Sequence, residues 1–368
     1  MIPVAEVQIG EREKAYVNDC LESGWVSSLG KYVTAFEEAF ARFCGCRYGV
    51  AACNGTTALH LALVALKIGP GDEVIVPSLT FVATGNVVVY TGARPVLVDC
   101  DPYTWTMDPQ AVAAAITPRT RAIIPVHLYG HPVDMDPILD LARQHDIAVI
   151  EDAAEAHGAR YKGRRVGSLG LMACFSFYGN KIITTGEGGM VVTDDQGLAE
   201  AQAWLRDHAM SKERRYWHPA VGYNYRLTNI QAALGLGQLE RIDEILAHKL
   251  RVARAYTQRL AGQAGLTLPP QAPWAESVYW MYSVLIQDEF GRTRDEVMAG
   301  LRAAGVDSRP FFHPLHTMPP YQTGLCLPVC EDVAARGINL PSSPGLSDEQ
   351  IGYICDALLA LRRPHGPV

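Results

Sequence analysis

Short apolar runs alternating with amphipathic stretches constrain the fold of the first two-thirds of this chain. The runs are Glu73–Pro77, Pro95–Asp99, Ala122–Val126, Ala148–Asp152, Ala173–Phe177 and Met190–Thr193. Between and around them, Thr57–Lys67, Thr80–Tyr90, Pro109–Ile116, Pro137–His145 and Gln196–His208 carry apolar residues at helical spacing. A strand that is apolar on both faces has to be covered on both faces. Such strands alternating with helices predict an α/β fold built on a mainly parallel sheet.

The remainder of the chain reads differently. Helical periodicity runs from Asn229 to Leu260 and opens with Thr228 and Gln231 at capping-box spacing. Val278–Gln287 alternates like a strand. Two further helices, Thr293–Ala304 and Ser347–Leu361, each open with a capping box, Thr293 with Glu296 and Ser347 with Gln350. Pro310–Pro328 is rich in proline but interleaved with aromatics and histidines, which predicts an ordered loop near a site. The reading is a large domain over residues 1–245 and a smaller α+β domain over residues 246–368.

Composition removes several function classes. With 48% hydrophobic and 19% charged residues, the chain is ordinary for a globular protein. It contains no run of 18 or more apolar residues, so no membrane helix is predicted. The start, Met1 to Val17, lacks the pattern of a signal peptide, which predicts a cytoplasmic protein. A net charge of −7 without a basic stripe argues against a nucleic-acid partner. The nine cysteines form no Cys-x-x-Cys, so reduced thiols are expected, with neither disulfides nor a metal site.

Four segments carry chemistry. Asn54-Gly55-Thr56-Thr57 stands directly before an apolar helix, where free N–H groups and the helix dipole suit a phosphate; a plain helix cap is the simpler alternative. Ile147–Glu155 is an apolar run ending in Glu151, Asp152 and Glu155. Ligands sit at the carboxyl ends of parallel strands, and a carboxylate there can hold a cationic nitrogen. Lys181 follows a strand end within a Gly179-Asn180 turn among apolar flanks. That setting lowers an amine's pKa and makes it a nucleophile, although most lysines are solvated surface charges. Gly222-Tyr223-Asn224-Tyr225-Arg226 is uninformative alone. Gly24–Lys31 imitates a phosphate loop but has one residue too many, and no Gly-x-Gly-x-x-Gly follows a strand.

Taken in order, these segments resemble the sugar aminotransferases of the DegT/DnrJ/EryC1/StrS family, which have the aspartate aminotransferase-like fold. The resemblance spans nearly the whole chain. It rests on Gly24–Ser28, Asn54–His60, His127–Gly130, Glu151–Ala156, Gly186–Met190 and Gly222–Arg226. It implies a seven-stranded sheet in the large domain and pyridoxal 5′-phosphate as cofactor, alternating with pyridoxamine 5′-phosphate.

By the same resemblance, Lys181 bonds the cofactor covalently and Asp152 pairs with its pyridine nitrogen. Glu155, where many relatives have Gln, lies near the ring hydroxyl. Gly55, Thr56, Thr57 and Ser176 bind the phosphate, and Phe81 stacks on the ring. Asn224 reaches the cofactor of a second subunit, which implies a homodimer with shared sites. Ser28, Lys31, Arg226, Arg309, His313 and His316 are substrate candidates; His313 and His316 could equally be hydrogen-bonded loop structure. The implied reaction moves the amino group of L-glutamate to C4 of a nucleotide-linked 4-keto-6-deoxy sugar. Family members that dehydrate sugars instead have His where Lys181 stands, or a cysteine set for an iron–sulfur cluster, and this chain has neither.

Overall fold

The apolar runs assemble into one sheet. A computed structural model describes residues 1–363. Its strands are β1 (Tyr48–Ala52), β2 (Glu73–Pro77), β3 (Arg94–Val98), β4 (Thr120–Ile123), β5 (Ala148–Asp152), β6 (Met172–Ser176) and β7 (Gly189–Thr193). They lie in the order β1-β7-β6-β5-β4-β2-β3. The pairings β3–β2–β4–β5–β6 are parallel, while β7 runs antiparallel to both β6 and β1. The reason lies in connection length. A parallel return needs a long crossover, and 177–188 contains no helix to make one.

The large sheet is flanked by α1 (Glu11–Ser23), α2 (Lys31–Cys44), α3 (Gly55–Ala65), α4 (Ala83–Tyr90), α5 (Pro109–Ala115), α6 (Met135–His145), α7 (Gln196–Leu205) and α8 (Asn229–Leu239). Strand β1 and helices α1 and α2 were not anticipated. Several predicted ends moved: α4 starts at Ala83 rather than Thr80, and α7 stops at Leu205 rather than His208. His208 and Ala209 have φ of 58° and 50°, which ends a right-handed helix. The predicted Asn229–Leu260 helix divides into α8 and α9 (Ile242–Leu260) around Arg241. There the Arg241 side chain bonds Glu13 at 2.7 Å and Gln8 O at 2.6 Å.

A second core, with Tyr256, Phe290, Leu301 and Ile354 fully buried, lies under an antiparallel four-stranded sheet. Its strands are β8 (Leu266–Thr267), β9 (Tyr282–Ile286), β10 (Arg309–Pro310) and β11 (Gly337–Leu340), in the order β8-β9-β11-β10. Helices α10 (Arg294–Ala303), α11 (Pro328–Arg336) and α12 (Asp348–Ala360) complete this part. The capping boxes at Thr228, Thr293 and Ser347 form as their spacing predicts. The predicted domain 246–368 extends past the described residues at 364–368.

The Pro310–Pro328 loop is ordered by two 3₁₀ turns and is pinned to the end of β2. Leu315 N donates to Ser78 O at 2.8 Å, and the buried His316 Nδ1 meets Ser78 Oγ at 2.7 Å. All nine cysteines are unpaired thiols. Among the described residues, no helix is long and apolar enough to cross a membrane.

Candidate active site

The carboxyl edge of the parallel strands gathers the chemistry-bearing residues. Just past β1, the Asn54 side chain accepts a hydrogen bond from Thr57 N at 2.9 Å, and the Thr57 hydroxyl donates to Asn54 O at 2.8 Å. This cap uses both Thr57 donors, so the simpler capping reading holds for that residue and Thr57 has no donor left for an anion. The first-turn N–H groups of Gly55 and Thr56 have no intrahelical acceptors, as in any helix, and are free to bind one. Ser176, at the end of β6, lies beside them. A Cβ added at Gly55 would stand 2.7 Å from Ser176 Cβ, so any side chain at 55 would fill this cradle.

Strand β5 ends in two carboxylates with different fates. Glu151 is fully buried and accepts from His127 Nε2 (3.0 Å) and from the N–H groups of Gly167, Leu169 and Gly170 (2.8–2.9 Å). Burial pushes its pKa up, and these bonds outweigh that and leave it low. His127 Nδ1 accepts from Val133 N, so this pair is a structural buttress. Asp152 is buried with fewer partners. Its Oδ2 accepts from Thr84 Oγ1 at 2.8 Å and its Oδ1 from Ala154 N at 3.2 Å. Burial raises the Asp152 pKa against those bonds. A buried carboxylate with so little compensation favours a cationic ligand group.

Lys181 follows β6 in the turn 178–181, where its N–H bonds Tyr178 O at 2.9 Å. Its Nζ lies 3.7 Å from Glu155 Oε1 and 3.9 Å from the centroid of the Trp280 ring. Burial lowers its pKa, and Glu155 and Asp152 oppose that shift. Burial likewise lifts Glu155 to about 7, despite Lys181 and the Tyr129 N–H, which donates to Glu155 Oε2 at 2.7 Å. An amine held below its ordinary range in a dry site is a competent nucleophile and proton carrier.

The site opens into a cleft of about 570 Å³ lined by Thr80, Phe81, Tyr129, Asn180, Trp280, Arg309, Phe312 and His313, among others. Phe81 is half exposed and lies 5.7 Å, centroid to centroid, from Phe312. Asn180 Oδ1 is buried and has no hydrogen-bond partner among the described residues. An unpaired buried acceptor is costly, and a polar ligand entering the cleft would satisfy it.

Not every predicted residue reaches the cleft. His316 is buried between Ser78 and Glu331 (Nε2 to Oε1, 3.0 Å) and is absent from the cleft lining, an arrangement that matches the loop-structure alternative. Ser28 and Lys31 lie outside the cleft lining, with Lys31 paired to Asp19 at 2.8 Å. Arg226 pairs with Asp207, and Asn224 is exposed on the same segment. The sequence reading missed Thr84, Tyr129, Phe312 and Trp280. Tyr129 lies in the segment His127–Gly130, Phe312 in the aromatic loop Pro310–Pro328 and Trp280 in the predicted strand Val278–Gln287, whereas Thr84 has no local signal beyond its predicted helix.

The site suits a ligand with a phosphate for the α3 cradle, a planar cationic ring for Asp152 and a carbonyl for Lys181. On a sheet of this topology, it defines a pyridoxal 5′-phosphate-dependent enzyme of the aspartate aminotransferase-like fold. The chain belongs to the DegT/DnrJ/EryC1/StrS aminotransferase family, whose profile matches residues 7–359. It is 53% identical over 360 residues to GDP-perosamine synthase of Caulobacter vibrioides, covering 97% of both chains. To GDP-perosamine synthase of Vibrio cholerae it is 42% identical, covering 97% of this chain and 98% of the relative. The PLP-form structure of a sugar aminotransferase from Streptococcus pneumoniae superposes with a TM-score of 0.92 at 29% identity, covering 98% of each chain. The protein is thus an aminotransferase that uses pyridoxal 5′-phosphate.

Proposed function

We propose that this chain transfers the amino group of L-glutamate to C4 of GDP-4-keto-6-deoxy-D-mannose, forming GDP-perosamine, in the cytoplasm. The observation that carries this reading is the full-length identity of 53% to a GDP-perosamine synthase, in a chain whose Lys181 amine is buried between Glu155 and Trp280.

The residue roles in this reading are those the family resemblance implies. Pyridoxal phosphate, when bound, supplies an electron sink for the charge left as the donor's Cα–H bond breaks. Lys181 would be its covalent attachment point, and the Lys181 Nζ would carry the Cα proton. Asp152 would hold the pyridine nitrogen protonated, oriented by the Thr84 hydroxyl. Glu155 would face the ring hydroxyl. The Gly55 and Thr56 N–H groups and Ser176 Oγ would hold the phosphate, with Thr57 closing the cap of the same turn. Phe81 packs on the ring face. Arg309 and His313, both in the cleft lining, receive the nucleotide sugar.

The active unit in this reading is a homodimer, in which Asn224 of the partner subunit reaches the phosphate. Ser28, Lys31 and Arg226 contribute to substrate binding only once a second copy completes the cleft. Residues 1–245 form the cofactor-binding domain and 246–368 the smaller domain.

The test is the product mass when purified protein, cofactor and L-glutamate meet GDP-4-keto-6-deoxymannose, with the dTDP- and UDP-linked 4-keto sugars run in parallel and Lys181→Ala as control. Amination of the GDP sugar, lost in the control, supports the proposal. Amination of another nucleotide sugar alone moves the substrate and keeps the chemistry. Amination of none, with cofactor bound, overturns it.

A further inference from the structure

Trp280 touches the reactive lysine in two ways. Its ring lies under Lys181 Nζ at 3.9 Å from the centroid, within cation–π range. Its indole N–H donates at 2.8 Å to Asn180 O, the carbonyl immediately before Lys181. The residue itself belongs to the other end of the chain, just before β9, and is 6% exposed.

Trp280 is held from behind. Its carbonyl accepts at 2.8 Å from Lys249 Nζ, which also donates to Ser342 O at 2.6 Å. Lys249 lies buried in α9, with no carboxylate in ion-pair range among the described residues. Its head group therefore serves to tie backbone together. Burial pulls its pKa down to about 7. Lys181, Asn180, Trp280, Lys249 and Ser342 all line one small pocket of about 40 Å³.

We propose that Trp280 is a positioning residue for Lys181: its ring face carries the lysine amine whenever that amine is not covalently engaged, its N–H fixes the turn before the lysine, and Lys249 holds Trp280 in place. The inference rests on Lys181 being the reactive amine. A lysine side chain has many rotamers, and a freed amine that wanders would return its proton to the wrong atom or lose it to water. The ring and Glu155 give it a defined resting point on two sides.

The titratable groups facing Lys181 are Glu155 and Asp152, from the end of β5 and the turn after it, and His157. A ring face favours the ammonium form. Replacing Trp280 by Leu keeps the surroundings apolar and removes that attraction.

The experiment uses the cofactor-free protein. Lys181 is titrated by the pH dependence of its modification with a small amine-reactive reagent, read by peptide mass. Trp280→Leu is expected to lower the pKa of Lys181 by about one unit, and Trp280→Phe, which retains a ring, to restore most of it. Lys181 titrating at the parent value in a folded Trp280→Leu protein would overturn the inference. If that variant does not fold, Trp280→Phe and Lys249→Met decide the matter. Each is expected to slow pyridoxal phosphate attachment to Lys181, trapped by borohydride, at least about fivefold, and parent-like rates in both would overturn it. Failure of the underlying reading looks different: the parent protein itself would then trap no cofactor at residue 181.

Discussion

At the scale of single residues, the site is a contest between burial and charge. Lys181 and Glu155 are 3.7 Å apart, and burial moves each toward its neutral form. Glu155 has a pH consequence with a definite sign. Burial pushes its pKa up to about 7 in the folded chain, from an ordinary value of 4.5. Between those values the folded chain holds a proton that the unfolded chain has lost, so this residue's contribution to stability falls as pH rises through the window. Glu155→Gln removes that slope. Melting the cofactor-free variant and parent side by side should show the difference shifting in the variant's favour from about pH 5 to about pH 8. A constant difference across the range would refute the assignment. Asp152, Glu155 and Lys181 were legible as a set because strand ends and a Gly-Asn turn mark them locally. Thr84, which bonds Asp152, carries no local mark, and Tyr129 lies in a segment, His127–Gly130, that gives no hint of its bond to Glu155.

At the scale of elements, α3 and β6 meet at a point with no spare room. The Cβ of an alanine at 55 would stand 2.7 Å from Ser176 Cβ, and one at 189 would stand 2.3 Å from Asn54 O. Gly55→Ala is expected to cost about 1–3 kcal/mol through overpacking. Because the clash lies in the cradle, it should also shrink the rise in melting temperature that pyridoxal phosphate produces. Thermal melts with and without cofactor measure both. A parent-like cofactor effect would show that the phosphate is held elsewhere. The Gly55 position was visible in the sequence as a helix start, but its contact with Ser176 was not. That contact depends on β7 lying antiparallel between β1 and β6, a pairing decided by the helix-free connection 177–188.

At the scale of the whole molecule, the single chain leaves large apolar side chains uncovered. Trp25, Leu29, Tyr216 and Trp217 are more than half exposed, and Val221 is 85% exposed. The last three lie in the segment just before Asn224. Sedimentation should report twice the chain mass, and Val221→Arg should yield monomers that bind cofactor more weakly. A monomeric parent protein with full activity would remove the shared-site proposal. Across the fold, the sequence alone determined what is encoded within a few residues: the strand runs, the capping boxes at Thr228, Thr293 and Ser347, and the lysine in its turn. Periodicity and caps are local, so the chain declares them before it folds. The tertiary structure decided what depends on residues far apart meeting: Trp280 under Lys181, His316 bonded to Ser78, and Arg241, where the long helix divides, bonded to Glu13. Those contacts are selected by packing between elements, and no short stretch of sequence contains both partners.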